Sequence, residues 1–203
     1  MRVKICGMTS VAQAEQAVAA GADAIGLVFY EKSPRHVNLA LAADIASACG
    51  PFVTVVGLFV DTPREQLDAI LRAVPLHLLQ FHGNEPAEMC EAYGRPYMKA
   101  LRMRPEMDVN GALVQYPTAA GVLLDAYRPG VPGGTGETFD WERFPETSPR
   151  PLVLAGGLTP DNVAEAVAVT RCYGVDVSGG VESSPGVKDP ALVEQFITNA
   201  KRG

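Results

Sequence analysis

The sequence lacks blocks of like charge, long apolar runs and the short signatures of metal, disulfide and serine chemistry. It carries 17 Lys and Arg against 23 Asp and Glu, a formal charge of −6. With no cluster of either sign, it offers no electrostatic footprint for nucleic acid or for an anionic membrane surface. Any phosphate bound here must be held by local geometry. The start, Met1-Arg2-Val3-Lys4-Ile5-Cys6, runs into a polar turn with no apolar stretch of leader length, so nothing addresses the chain for export. Cys6, Cys49, Cys90 and Cys172 are far apart and in no CxxC arrangement. In a chain too large to need disulfide staples, reduced thiols and a cytoplasmic location are expected. Three dispersed histidines without HExxH spacing predict no metal site, and without a G-x-S-x-G elbow a serine triad has no support.

What is present is an ordinary globular balance, 47% hydrophobic and 20% charged over 203 residues. That is enough to bury one sizeable core and about the lower size limit of a one-domain (β/α)8 barrel. Short β-rich runs alternate with Ala-rich helical patterns. The runs are 2–6, 24–29, 53–60, 77–81, 97–101, 121–125, 152–155 and 174–177; the helical patterns are 10–20, 39–49, 63–73, 86–92, 160–169 and 190–200. Residues 107–116 suggest a further short helix, and 126–140 read mainly as loop. Pro63, Pro160 and Pro190 follow Thr or Asp, a helix-start signal. Strands alternating with crossover helices pair in parallel, and eight such units predict an α/β fold, a single-domain (β/α)8 TIM barrel spanning 1–203. An open sheet of about six strands is the competing architecture; no G-x-G-x-x-G follows the first strand to support it. The stretch Arg128-Pro-Gly-Val-Pro-Gly-Gly-Thr-Gly136 reads as one long functional loop, a candidate lid.

In a parallel barrel the strand cores are apolar, so polar residues at strand carboxyl ends are informative. Cys6, Gln80, His82, Asp125, Asp176 and Ser178 all sit there, and period-two alternation puts Lys4 with Cys6, Gln80 with His82, and Asp176 with Ser178 on common faces. If those faces point inward, the groups converge on one mouth. Cys6 is either a buried structural thiol or, with its pKa lowered by a following helix start, a base or nucleophile. Asp125, after the apolar Gly-Val-Leu-Leu, is either a turn cap or an acid whose pKa burial raises. Arg35 is either a solvated loop residue or a fork for a carboxylate. His36 and His82 are the candidate metal ligands, whereas His77 lies too far back in its strand to join them. The turns at Gly156-Gly157 and Ser178-Gly179-Gly180 follow the last two strands, where barrel enzymes hold phosphate. Their backbone N–H groups can approach an anion, and a following helix start would add its dipole.

The motifs, in order, closely resemble those of the phosphoribosylanthranilate isomerase family over nearly the whole chain. They include Lys4-Ile-Cys-Gly-Met-Thr9, Gly26-Leu-Val-Phe-Tyr-Glu-Lys-Ser-Pro-Arg-His-Val37, Val56-Gly-Leu-Phe-Val-Asp61 and Leu79-Gln-Phe-His-Gly-Asn-Glu85. Leu124-Asp125, Gly133-Gly-Thr-Gly136, Phe139-Asp-Trp141, Leu154-Ala-Gly-Gly-Leu158, Gly174-Val-Asp-Val-Ser178 and Pro185-Gly-Val-Lys-Asp189 complete the series.

The resemblance implies a cofactor-free Amadori rearrangement of N-(5-phosphoribosyl)anthranilate in tryptophan biosynthesis, on a small phosphoribosyl substrate. It implies Cys6 as general base, Asp125 as general acid, Arg35 on the anthranilate carboxylate, and Gly156, Gly157, Ser178, Gly179 and Gly180 on the phosphate. Asp176 would bond a ribose hydroxyl and His82 would line the pocket. The chain reads Ser-Gly-Gly at 178–180 where relatives often have Ser-Ser-Gly, which removes one possible hydroxyl contact. Competing readings are a histidine-pathway or dual-substrate aminoaldose isomerase and a non-catalytic phosphosugar-binding barrel. No long apolar surface stripe stands out, so a monomer is expected before a homodimer.

Overall fold

A computed structural model describes residues 1–126 and 138–202. Eight parallel strands close into a barrel: β1 (Arg2–Cys6), β2 (Ala24–Val28), β3 (Thr54–Phe59), β4 (Leu78–Phe81), β5 (Tyr97–Met103), β6 (Gly121–Ala126), β7 (Leu152–Leu154) and β8 (Gly174–Val177). Seven helices lie among the described residues: α1 (Val11–Ala19), α2 (Leu39–Ala48), α3 (Arg64–Ala73), α4 (Ala87–Glu91), α5 (Val109–Gln115), α6 (Val163–Thr170) and α7 (Pro190–Arg202). β8 pairs back to β1 with Lys4 opposite Asp176. The closed barrel replaces the open-sheet alternative. The candidate lid at Arg128–Gly136 lies outside the described residues. No described helix is long and apolar enough to cross a membrane.

The period-two pattern divides each strand between two environments. One parity, including Val3, Ile5, Leu27, Val55, Phe59, Phe81, Leu124 and Val175, joins the helices in the main hydrophobic core. The other parity faces into the barrel, where Met98, Ala100, Leu123 and Ala155 form a smaller cluster. At the centre of the main core, Phe59 stacks on Phe29 at a centroid distance of 5.4 Å and tilts against Phe81 at 6.0 Å.

Helix starts follow their capping chemistry. Ser10 Oγ accepts the Gln13 N–H at 3.2 Å, Asn38 Oδ1 accepts the Leu41 N–H at 2.9 Å, and Asp189 Oδ1 accepts the Ala191 N–H at 2.9 Å. The expectation that a helix begins at Pro160 is corrected: α6 starts at Val163. Asn162 intervenes, its Oδ1 accepting the Thr159 N–H at 2.8 Å and its Nδ2 donating to the Gly157 carbonyl at 3.0 Å. This side-chain-backed turn competes with the helix for those groups. β4 begins after His77, whose Nδ1 accepts the Val55 N–H at 3.0 Å and so caps a ladder from outside the strand. A small antiparallel hairpin, β9 (Glu182–Ser184) and β10 (Val187–Lys188), was not anticipated.

Phe59 is fully buried. Phe59→Ala is expected to cost about 3–5 kcal/mol of stability, the usual loss for a large aromatic removed from a packed core, measured as a lowered urea midpoint. A loss under about 1 kcal/mol would mean that the ring stack is not a packing centre.

Candidate active site

At the carboxyl ends of the strands, where barrel enzymes place their sites, lies an open-mouthed cavity of about 110 Å³. Cys6, Arg35, His82, Asp125, Gly156, Gly157, Asp176, Ser178, Gly179 and Gly180 all line it. His36 is exposed and lies outside its lining. The wall opposite the glycine turns is apolar, with Val28, Leu58 and Val60 beside Tyr30.

Cys6 ends β1 directly across from Gly26 of β2. Only a glycine leaves room for the thiol, since a Cβ at position 26 would stand 2.6 Å from Cys6 Sγ. Of the two readings of Cys6, the buried thiol holds and the lowered pKa does not. Burial pushes the thiol up, although the charge of Lys4 opposes this. α1 begins only at Val11, so its N-terminus is not the neighbour that dominates the thiol. Beneath Cys6, Lys4 Nζ donates to Asp176 Oδ1 at 2.8 Å, with both side chains buried. Burial disfavours the Lys4 cation, but Asp176 and Cys6 outweigh it and hold Lys4 above its ordinary value. Burial also pushes the Asp176 carboxyl up, against the pull of Lys4.

Asp125, buried at the end of β6, is linked to β4: His82 Nε2 lies 3.0 Å from Asp125 Oδ2, and Gln80 Nε2 lies 3.1 Å from His82 Nδ1. Arg102 of β5 donates to the His82 carbonyl at 3.1 Å. Below, Glu85 accepts the Asp61 N–H at 2.8 Å, the Gly83 N–H at 2.9 Å and a Lys99 Nζ hydrogen at 2.8 Å, so one buried carboxylate ties the segments after β3 and β4 to the body of β5. Each of these loops is thereby fixed at the height of the cavity.

The two glycine turns differ in construction. Gly156 has φ +85°, and a Cβ there would stand 2.3 Å from the Ala126 nitrogen, so both conformation and space require glycine. The expected helix start directly behind each turn is corrected: α6 begins six residues past Gly157, and β8 is followed by a single 3₁₀ turn at Gly179–Val181 and then the hairpin. Ser178 Oγ donates to the Cys6 carbonyl at 3.0 Å, which ties the eighth-strand turn to the first strand.

A family model described as N-(5'phosphoribosyl)anthranilate (PRA) isomerase matches residues 3–199. The chain is 62% identical over 200 residues to the N-(5'-phosphoribosyl)anthranilate isomerase of Cellvibrio japonicus, covering 98% of this chain and 93% of the relative. The chain belongs to the phosphoribosylanthranilate isomerase family. The crystal structure of the family member from Thermotoga maritima superposes with a TM-score of 0.92 at 42% identity, each chain fully covered. A family structure in complex with reduced 1-(o-carboxyphenylamino)-1-deoxyribulose 5-phosphate superposes at 0.85 and 39% identity, again over the whole of both chains.

Within this family barrel, several polar residues escaped the sequence reading. The strand alternation gives the face of Lys4 but not its ion pair, and the buried pairings of Glu182 with Lys188 and of Glu85 with Lys99 leave no mark in the local pattern. Glu182 and Lys188 flank Pro185-Gly186, so a turn between an acid and a base was the available signal. Among the described residues no group of three His, Cys, Asp or Glu is placed to hold a metal ion.

Gly26→Ala is expected to push the Cys6 thiol aside and lower kcat by about 10²-fold, the loss that a misplacement of ~1 Å can bring. Binding of a product analogue should persist, and parental activity would show that Sγ has room to relocate.

Proposed function

We propose that the chain catalyses the Amadori rearrangement of N-(5-phosphoribosyl)anthranilate to 1-(2-carboxyphenylamino)-1-deoxyribulose 5-phosphate, with Cys6 as general base and Asp125 as general acid. The observation that carries this reading is that both groups line one cavity together with the two glycine turns and Arg35. Cys6 on β1 and Asp125 on β6 are separated by β7 and β8 on the shorter path around the barrel, so they reach a bound sugar from different sides.

Asp125 gives its proton to the furanose ring oxygen, and the ring opens to an iminium. The electron-poor C1–N unit acidifies the C2 proton, which the Cys6 thiolate removes to leave an enolamine. Taking up a proton at C1 and losing one from the C2 hydroxyl then yields the ketone. His82 engages Oδ2 of Asp125, which leaves Oδ1 for the sugar. Asp176 Oδ1 is taken by Lys4, so its other oxygen meets a ribose hydroxyl. The amides of Gly156, Gly157, Gly179 and Gly180, with Ser178, hold the phosphate at the position where barrels commonly bind it. Because Ser178 Oγ already donates to Cys6, the backbone carries most of that contact. Arg35 pairs with the anthranilate carboxylate, and the aryl ring rests on Val28, Leu58 and Val60.

The cytoplasm is the compartment we assign, supported by the four free, buried cysteines. We also assign a monomer: among the large exposed apolar side chains, Leu39, Val114, Val169 and Val187 lie on different elements, and only Phe52 and Tyr173 share a hollow, at the amino ends of the strands. Light scattering should then give a mass near 21.5 kDa; twice that value would establish a dimer.

Turnover of freshly made phosphoribosylanthranilate, followed by loss of its fluorescence, tests the roles. Cys6→Ser and Asp125→Asn should each lose at least ~10²-fold in kcat while staying folded, in line with the usual contribution of a general acid or base. Either variant retaining activity would remove that residue from its role, and a parent that binds a phosphosugar without turnover would favour a sensor. Because burial raises the Cys6 pKa and the base must be deprotonated, kcat/KM should climb as pH rises from neutral. A flat profile would point to a different base.

A further inference from the structure

One charged cluster, which reaches the cavity through Arg35, has no part in the proton transfers. Glu182 opens β9 just after the phosphate turn, its side chain 4% exposed. Arg35 Nε donates to Glu182 Oε1 and Arg35 Nη2 to Glu182 Oε2, both at 2.7 Å. Lys188 of β10, also buried, donates to Glu182 Oε1 at 2.7 Å and to the Ser178 carbonyl at 3.1 Å. Burial works against the Glu182 charge, but Arg35 and Lys188 outweigh it and hold the carboxyl below its ordinary range. The hairpin is itself anchored, with Thr9 Oγ1 donating to the Gly186 carbonyl at 2.5 Å.

A guanidinium carries five N–H donors in one plane, arranged as more than one fork. Glu182 takes the side formed by Nε and one Nη2 hydrogen. The end formed by Nη1 and the second Nη2 hydrogen makes no hydrogen bond to the described residues, and Arg35 lines the cavity beside Tyr30. Two cations on one carboxylate leave a net positive charge at that edge. An isolated Arg on a loop would sample many rotamers, whereas this one is clamped before any ligand arrives.

We propose that Glu182 is a positioning residue for substrate specificity: it clamps Arg35 so that the free guanidinium edge faces the aryl carboxylate, making the site selective for carboxylated aryl amines. This rests on the assignment of Arg35 to the carboxylate. Lys188 balances Glu182 and ties the clamp to the phosphate turn, so the two anionic ends of the substrate are held by one connected cluster.

Calorimetric binding of two stable probes tests it: the reduced aminodeoxyribulose 5-phosphate product analogue bearing the 2-carboxyphenyl group, and the same compound made with aniline. The parent should prefer the carboxylated probe by about 100-fold, as expected for a bidentate charge-assisted pair. Arg35→Met should abolish the preference. Glu182→Gln should cut it about tenfold, with affinity for the aniline probe held within about threefold. If Glu182→Gln fails to fold, Glu182→Asp, too short for both Arg35 bonds, is read in the same way. Equal weakening of both probes would reduce Glu182 to a structural role and overturn the proposal. So would an unchanged preference in the Glu182 variant alongside its loss in Arg35→Met. An unchanged preference in Arg35→Met would instead overturn the Arg35 assignment, and the proposal with it.

Discussion

The seam between β1 and β8 closes the sheet, and the site is built on that closure. Its register sets Lys4 opposite Asp176, and the two buried side chains meet at 2.8 Å. Separating such a pair would leave an uncompensated charge inside the protein, at a cost of about 3–5 kcal/mol. A slip of one residue would turn every side chain of β1 to the other face. The ion pair therefore pins the register that points Cys6 into the mouth, beside Ser178 and below the glycine turns. The hydrophobic core outside the strands is less selective, because one apolar side chain there can often stand in for another of similar volume.

A second layer of constraint works through the loops. The Glu85 carboxylate collects donors from Asp61, Gly83 and Lys99, and Arg102 fixes the His82 carbonyl. On the other side, Glu182 collects Arg35 and Lys188. Glu85 joins neighbouring units of the barrel, whereas Glu182 reaches Arg35 across 147 positions. Loops positioned by a rigid barrel in this way can carry polar groups without losing their geometry. A relative at 42% identity shares the whole fold with a TM-score of 0.92, so the barrel tolerates wide change in sequence.

All eight strands were legible because β-rich runs alternate with helical patterns, and the apolar alternation marks the buried faces. The boundaries moved where side chains compete for backbone groups: Asn162 delays α6, and His77 caps a ladder instead of joining β4. The β9–β10 hairpin escaped because two- and three-residue strands carry almost no periodic signal. Cys6 shows the limit most clearly. Its position before a polar turn leaves both a buried thiol and a helix-lowered pKa open; burial governs the thiol, and burial depends on which distant residues pack around it.

The sequence by itself determined the number and order of the β/α units, and through its ordered motifs the family. Both rest on local pattern and on residue identity. Only the tertiary structure decided how the polar residues pair: Lys4 with Asp176, His82 with Asp125, and Arg35 with Glu182 across 147 positions. Such pairings depend on barrel closure and strand register, which bring together groups that no short-range rule connects. A charged side chain's partner, burial and remaining free donors are properties of that assembled geometry, and the chemistry of the site follows from them.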